Sequence, residues 1–425
     1  MFNQQGLSLE QAPPISVVFR FFLGGALFGL LASLLLLIFG EEVFNIASPQ
    51  SRIITHTLTL GVMLSFMFAA LFQMLPVIAG VTLTSPKRRA NWVQYPFYSG
   101  LILLLVAFYA PSPERFMLAS LLLGGSIIPI AGVMIEQLRK VVHHSPSSKG
   151  MLFALSSLLL LTLFALYMTA SQASLLQGEY YLQVKTIHYS FGLIGWITLL
   201  IIAISFQVIE MFYVTPPYPS WMRHYLTAML FMVLLLSSVI SLFLPQVWLL
   251  SGGIIGVLLS LYALTTLKRL TQRKRPLADA TVWFWRVGMS LLLATLLTLT
   301  LTLFIPNPIL FKLVAILFSF FALSVVFAMF YKIVPFLTWF HLNSQGYFNA
   351  PMMHEIIHPK TAMKHLYLHL ASLSMFLLSL GFGALFMVAS FMLLLSFSIL
   401  VWHILYASRC YIKTQQTQEK FTLNP

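Results

Sequence analysis

The chain has 425 residues, of which 59% are hydrophobic and only 8% charged, with a mean hydropathy of +0.91 and a formal net charge of +14. This composition excludes a soluble globular domain and points to a polytopic membrane protein. The single cysteine, Cys410, excludes an internal disulfide and a cysteine-based zinc or iron–sulfur centre.

Twelve apolar segments follow one another, at about 16–40, 53–80, 93–111, 116–138, 151–173, 184–214, 225–244, 247–267, 282–305, 309–338, 366–386 and 388–409. Each is long enough to cross a hydrocarbon core of ~30 Å. The first has no basic leader and no small-residue cleavage site, so it is expected as a retained helix rather than a signal peptide. The last two are separated only by Gly381-Phe382-Gly383. No loop accommodates a soluble domain. The expectation is an all-α integral membrane protein, a single polytopic domain over residues 1–425.

Placing the N-terminus in the cytoplasm puts 20 of the 24 Lys and Arg residues on that side and leaves Arg52, Arg115, Lys185 and Lys312 outside. This is the positive-inside bias expected of a multi-pass protein of a bacterial-type inner (plasma) membrane, with both termini cytoplasmic. Attraction to anionic lipid accounts for the remaining purpose of the charge. The basic residues are spread over short loops and the tails, so the expected partner is the lipid bilayer and not nucleic acid.

The second segment carries the most informative pattern. It reads HTLTLGVMLSFMFAALFQMLPVIAG, with His56 at its start, Gly61 five residues on and Pro76 twenty residues on. The frame recurs in the tenth segment, where AMFYKIVP parallels AALFQMLP and ends at Pro335, but Ala315 stands in the histidine's place. The sixth segment opens with His188 and continues YSFGLIGWITLLIIAISFQVIE. It keeps Gly192 and Gly195 and has Val208 where the proline would fall. A histidine near the start of a membrane helix is a natural axial ligand for a heme or a metal ion. The plainer reading is that each histidine hydrogen-bonds a backbone carbonyl near the interface.

Twelve helices carrying this frame resemble subunit I of the heme-copper oxidases. They also resemble the NnrS family, heme- and copper-containing membrane proteins linked to nitric oxide metabolism. The resemblance implies a heme-copper oxidase subunit I-like bundle. It also implies that His56 stands at the low-spin heme ligand position and His188 at a copper ligand position. In the oxidases, helix ten supplies a His-x-His pair that holds both hemes; Leu313 and Ala315 occupy those positions here. Helix seven would supply two adjacent histidines for copper, but here it has only His224, at its cytoplasmic end. The resemblance therefore implies a degenerate relative that binds one heme b or one copper, or neither. Its role would be accessory to respiration, nitric oxide handling or copper supply, with respiratory subunits or a second copy as partners. A full oxidase or nitric oxide reductase site is not expected. The alternative is a transporter for a metal ion or small solute, with helices two, six and ten lining its path. A third reading is a cofactor-free scaffold.

Met63, Met67 and Met74 fall on one face of the second segment below His56. Thioethers suit Cu(I), so the stripe reads either as a copper path or as ordinary packing. Gln73, Gln207, Glu210 and Lys332 are the deep polar residues, and a Glu210–Lys332 pair is expected as an interhelical tie or part of a proton path.

Between the tenth and eleventh segments lie His341, His354, His358 and His365, with His369 one turn into the eleventh. His354-Glu355-Ile356-Ile357-His358 matches the H-E-x-x-H of zinc proteases. However, Pro359 pushes His358 out of the α region, and Lys364 stands where a third histidine ligand would fall. His354/His358 and His365/His369 form two i,i+4 pairs beside Met352, Met353 and Met363. They read either as a cytoplasmic copper or zinc handover site or as a loop whose histidines meet lipid phosphates. His403 reads as an interface residue at the inner end of the last segment.

Overall fold

The computed structural model describes residues 12–275 and 277–420, and these are helical, with no strand among them. The long helices are α1 Ile15–Phe39, α2 Pro49–Ala79, α3 Pro86–Tyr109, α4 Pro113–Arg139, α5 Pro146–Gln172 and α6 Tyr181–Tyr213. They continue with α7 Met222–Ser241, α8 Val247–Thr271, α9 Ala280–Leu301, α10 Pro308–Ser344, α11 Pro359–Ser379 and α12 Leu385–Thr417. Among the described residues, eleven helices are long and apolar enough to cross a membrane, which makes this a multi-pass helical membrane protein. The exception is α11, whose 21 residues include Lys360, Lys364, His365 and His369.

The helix starts follow simple capping chemistry. Proline stands in the first turn of α2, α3, α4, α5, α10 and α11, where its missing N–H costs nothing. The side chains of Ser48, Ser112, Ser145, Asp279 and Asn307 accept the backbone N–H groups of Ser51, Arg115, Ser148, Val282 and Ile309. The same rule corrects the start of the eleventh element, expected at 366. His358 caps it by accepting the Lys360 N–H through Nδ1 at 3.2 Å, and Pro359 opens the helix. His365 therefore lies inside α11 and not in the preceding loop.

Three stretches are π-helical: Thr57–Leu64 in α2, Phe191–Thr198 in α6 and Met222–Leu226 at the start of α7. In the second, the Thr198 hydroxyl donates to the Leu193 carbonyl five residues back, at 2.7 Å, which matches the wider turn.

The single domain expected from the sequence divides into two compact units. The middle unit comprises Ala70–Pro276, which holds the end of α2 and α3 to α8. There α3, α4, α5 and α6 pack in sequence, and α7 lies between α5 and α8. Gly150 on α5 faces Ala203 on α6 so closely that a Cβ at Gly150 would lie 2.5 Å from the Ala203 methyl. The split unit comprises Pro14–Ala69 and Leu277–Pro425. In it, α1 packs against α12 and the π-helical stretch of α2, α9 runs along α10, and α11 lies against α9, α10 and α12. The Gly25-x3-Gly29 spacing makes this possible. A Cβ at Gly25 would fall 2.4 Å from the Phe66 ring, and one at Gly29 would fall 2.1 Å from the Phe397 ring.

Two ion pairs stand in the split unit. Lys312 Nζ donates to Glu41 at 2.7 Å, and Lys332 Nζ donates to Asp279 Oδ2 at 2.6 Å. Lys332 and Glu210 each have a partner within their own unit. Lys332 meets the cap of α9, and Glu210 accepts the Tyr218 backbone N–H at 3.0 Å. Partial burial works against ionisation of Asp279. Lys332, the Thr281 hydroxyl and the Val282 N–H more than offset it and hold the carboxyl below the usual aspartate range.

Two predictions follow from this packing. Gly29→Ala should destabilise the detergent-solubilised protein by about 1–3 kcal/mol, and adding Phe397→Leu should recover part of the loss, read as thermal midpoints. Asp279→Ala should cost about 0.5–2 kcal/mol through the lost cap alone. Because the folded carboxyl titrates below its ordinary value of 3.8, its contribution is present above that pH and is lost as the pH falls through the folded value. The difference in thermal midpoint between wild type and Asp279→Ala should therefore be full at pH 7 and shrink in strong acid.

Candidate functional site

His56 and His188 share a local design. His56 immediately precedes the π-helical stretch of α2, and its Nδ1 donates to the Arg52 carbonyl at 2.8 Å. His188 lies three residues before the π-helical stretch of α6, and its Nδ1 donates to the Leu161 carbonyl of α5 at 3.3 Å. A carbonyl only accepts, so Nδ1 carries the proton in both rings and the lone pair lies on Nε2. This is the tautomer in which a ligand histidine is held by its second-shell carbonyl. The glycines of both frames are tightly packed: a Cβ at Gly61 would lie 2.7 Å from the Phe28 ring, and one at Gly195 would lie 2.9 Å from Ser157 Oγ. Both histidines are half-buried, His56 in the split unit and His188 in the middle unit. The third frame differs throughout. Ala315 is exposed, and α10 is regular α-helix past it.

Met63, Met67 and Met74 are buried, at 4, 5 and 6% exposure, the first two in the split unit and the third in the middle unit. No group of three or more His, Cys, Asp or Glu side chains among the described residues is placed to hold a metal ion.

The H-E-x-x-H match does not form one helical face. His354 lies in a single turn, Met353–Ile356, and Ile357 and His358 are extended, as the following proline requires. Glu355 closes the turn by accepting the Met352 N–H at 2.7 Å. The two i,i+4 pairs have different surroundings. His354 and His358 are exposed, whereas His365 and His369 are fully buried on α11. His365 and His369 are therefore not loop residues at the lipid phosphates. His403, at 5% exposure, is a core residue and not an interface one.

These three histidines sit in a buried polar cluster of the split unit. His365 Nδ1 lies 2.8 Å from Tyr331 Oη on α10, and its Nε2 lies 2.5 Å from Ser396 Oγ on α12. Tyr331 Oη also lies 3.4 Å from His403 Nδ1 on α12. His369 Nε2 lies 2.9 Å from Ser324 Oγ on α10. Aromatic rings enclose the imidazoles. Phe327 stands 4.9 Å from His365 and 5.2 Å from His369, Phe320 4.9 Å from His369, and Phe284 of α9 stacks on Tyr331 at 6.1 Å. His369 Nδ1 is buried with no hydrogen-bond partner.

Sequence reasoning missed Tyr331, Ser324, Ser396 and the role of His403. A signal was present. Ser324 and Tyr331 are seven residues apart on α10, Ser396 and His403 seven apart on α12, and His365 and His369 four apart on α11. Each pair places two polar groups on one face of an otherwise apolar helix.

The two imidazoles of α11 should respond oppositely to replacement. His365→Leu strands Tyr331 and Ser396 and should lower stability by about 1–3 kcal/mol. His369→Leu removes an unpartnered nitrogen, while Ser324 keeps its bond to the Phe320 carbonyl at 2.6 Å, so this variant should melt no lower than wild type in detergent. No protein-family model matches this sequence, and no curated protein matches it.

Proposed function

We propose that this chain is a degenerate relative of heme-copper oxidase subunit I and the NnrS proteins, in which His56 and His188 are ligand positions for heme b or copper. In this reading α11 is the twelfth span, both termini are cytoplasmic and the protein resides in a bacterial-type inner membrane. The observation that carries the proposal is the repeated design of the two frames. In each, a half-buried histidine stands ahead of a π-helical stretch with Nδ1 committed to a backbone carbonyl. π-Helical turns concentrate at functional positions, and the fixed Nδ1–H tautomer presents Nε2 as the ligating atom. The donor chemistry of both residues therefore fits the group.

The rest of an oxidase ligand set is missing. Leu313 and Ala315 stand at the helix-ten heme positions, and His224 is exposed and bonded through Nδ1 to the Ser220 carbonyl at 2.7 Å. This favours an accessory role in respiration, nitric oxide handling or copper supply over catalytic oxygen reduction. A bound heme or copper would supply one-electron transfer or diatomic-gas binding. The chain's own part is to orient the two imidazoles.

The test is the optical spectrum and copper content of protein purified from cells supplied with heme precursor and copper. The expected result is a Soret band or stoichiometric copper that His56→Ala or His188→Ala abolishes while helical circular dichroism is unchanged. A folded wild-type protein that is colourless and copper-free overturns the proposal and leaves transport or scaffolding.

A further inference from the structure

Every polar side chain along one path through the buried cluster can both donate and accept a proton. Taken from α12, His403 Nδ1 lies 3.4 Å from Tyr331 Oη. Tyr331 Oη lies 2.8 Å from His365 Nδ1, and His365 Nε2 lies 2.5 Å from Ser396 Oγ, so with Nδ1–H on His403 and Nε2–H on His365 each group can donate to the next. The path is continuous across α12, α10 and α11. It is graded in exposure: His403 and Tyr331 retain 5 and 6%, whereas His365 and Ser396 retain none. It also advances along the helix axis, because Ser396 and His403 are seven residues apart on α12, about 10 Å at ~1.5 Å per residue. A purely structural cluster needs its polar groups satisfied but does not need them ordered into such a chain.

We infer that His403, Tyr331 and His365 form a proton relay that loads His365 from the Tyr331–His403 end, with Ser396 as the hydrogen-bond acceptor for the loaded ring. The step balances in protons. A hydronium ion gives a proton to His403 Nε2 and becomes water. The His403 Nδ1 proton passes to Tyr331 Oη as the phenol proton passes to His365 Nδ1. His403 and Tyr331 end neutral, and His365 ends as an imidazolium donating from Nε2 to Ser396 Oγ. The charged ring is short-lived in these apolar surroundings, and the reverse sequence returns the proton. The titratable groups around the relay are the Asp279–Lys332 pair where α9 meets α10 and His369 one turn further along α11. The relay shares no residue with the His56 and His188 positions, so a colourless protein leaves it standing.

Interconversion of the neutral and protonated forms of the His365 ring tests the relay, followed at Nδ1 by nitrogen-15 relaxation dispersion on histidine-labelled full-length protein in detergent. In wild type the Nδ1 signal should carry an exchange contribution that grows as the pH falls, despite complete burial of the residue. Tyr331→Phe keeps the ring stacked on Phe284 but removes the hydroxyl, and should slow that interconversion at least about tenfold, toward the rate set by opening of the helices. Ser396→Ala lies beyond the loading site and should leave the rate close to wild type. His403→Gln breaks the relay one step earlier and should also slow it, which keeps the test decisive if Tyr331→Phe fails to fold. A wild-type His365 Nδ1 with no exchange contribution at any pH overturns the relay. So does a rate unchanged by either upstream variant, or one slowed by Ser396→Ala alone.

Discussion

The hydrogen bonds of His365 are the constraint on which the split unit depends. One imidazole reaches Tyr331 on α10 and Ser396 on α12 from its own position on α11, and so fixes three helices through a single ring. A buried imidazole without partners is expensive. That explains how α11 can carry two fully buried histidines. Its histidines are matched by hydroxyls on neighbouring helices and are walled off by Phe284, Phe320 and Phe327. The helix is tolerable only as part of this assembly, whereas α1 or α10 is apolar enough to stand in lipid by composition alone.

Backbone approach supplies the second half of the same unit. Gly25 and Gly29 let α1 close on Phe66 and Phe397, and the Phe22, Phe66 and Phe330 rings meet edge to edge at 5.4 and 5.7 Å. Lipid offers apolar side chains no less favourable surroundings than protein does, so such interfaces are held by contact quality rather than by exclusion of water. The polar cluster then adds direction to a packing that aromatic rings alone would leave degenerate. Asp279 works at the edge of this arrangement by capping α9 and pairing with Lys332 beside Tyr331 in one contact.

The helical plan was legible in the sequence because it rests on local rules. Apolar runs of membrane length set the spans, whereas starts such as Ser48-Pro49, Ser85-Pro86, Ser112-Pro113 and Ser145-Pro146 lie ahead of those runs, because capping residues are polar and hydropathy leaves them out. The break in the H-E-x-x-H match was legible for the same reason, since Pro359 acts on its immediate neighbour. What was not legible depended on partners in other helices. Lys360, Lys364 and His365 together read as loop because hydropathy counts them as solvent-facing; only the hydroxyls of Tyr331 and Ser396 make His365 a core residue. His403 read as an interface residue for the same cause. The repeat of the His56 and His188 frames was legible in the sequence. The π-helical stretch beside each was not, because it needs the packed glycine and hydroxyl back-bonds to appear.

The five histidines that matter divide by what their ring nitrogens do. His365 has both nitrogens in side-chain hydrogen bonds, so a metal ion there would have to displace Tyr331 or Ser396 and unsettle three helices. His403 joins the same network through Tyr331, and His369 bonds Ser324 beside it. His56 and His188 have Nδ1 on backbone carbonyls. Imidazole chemistry in this chain is therefore separable. Rings held by side chains suit the movement of protons, and rings held by the backbone suit a fixed coordination bond.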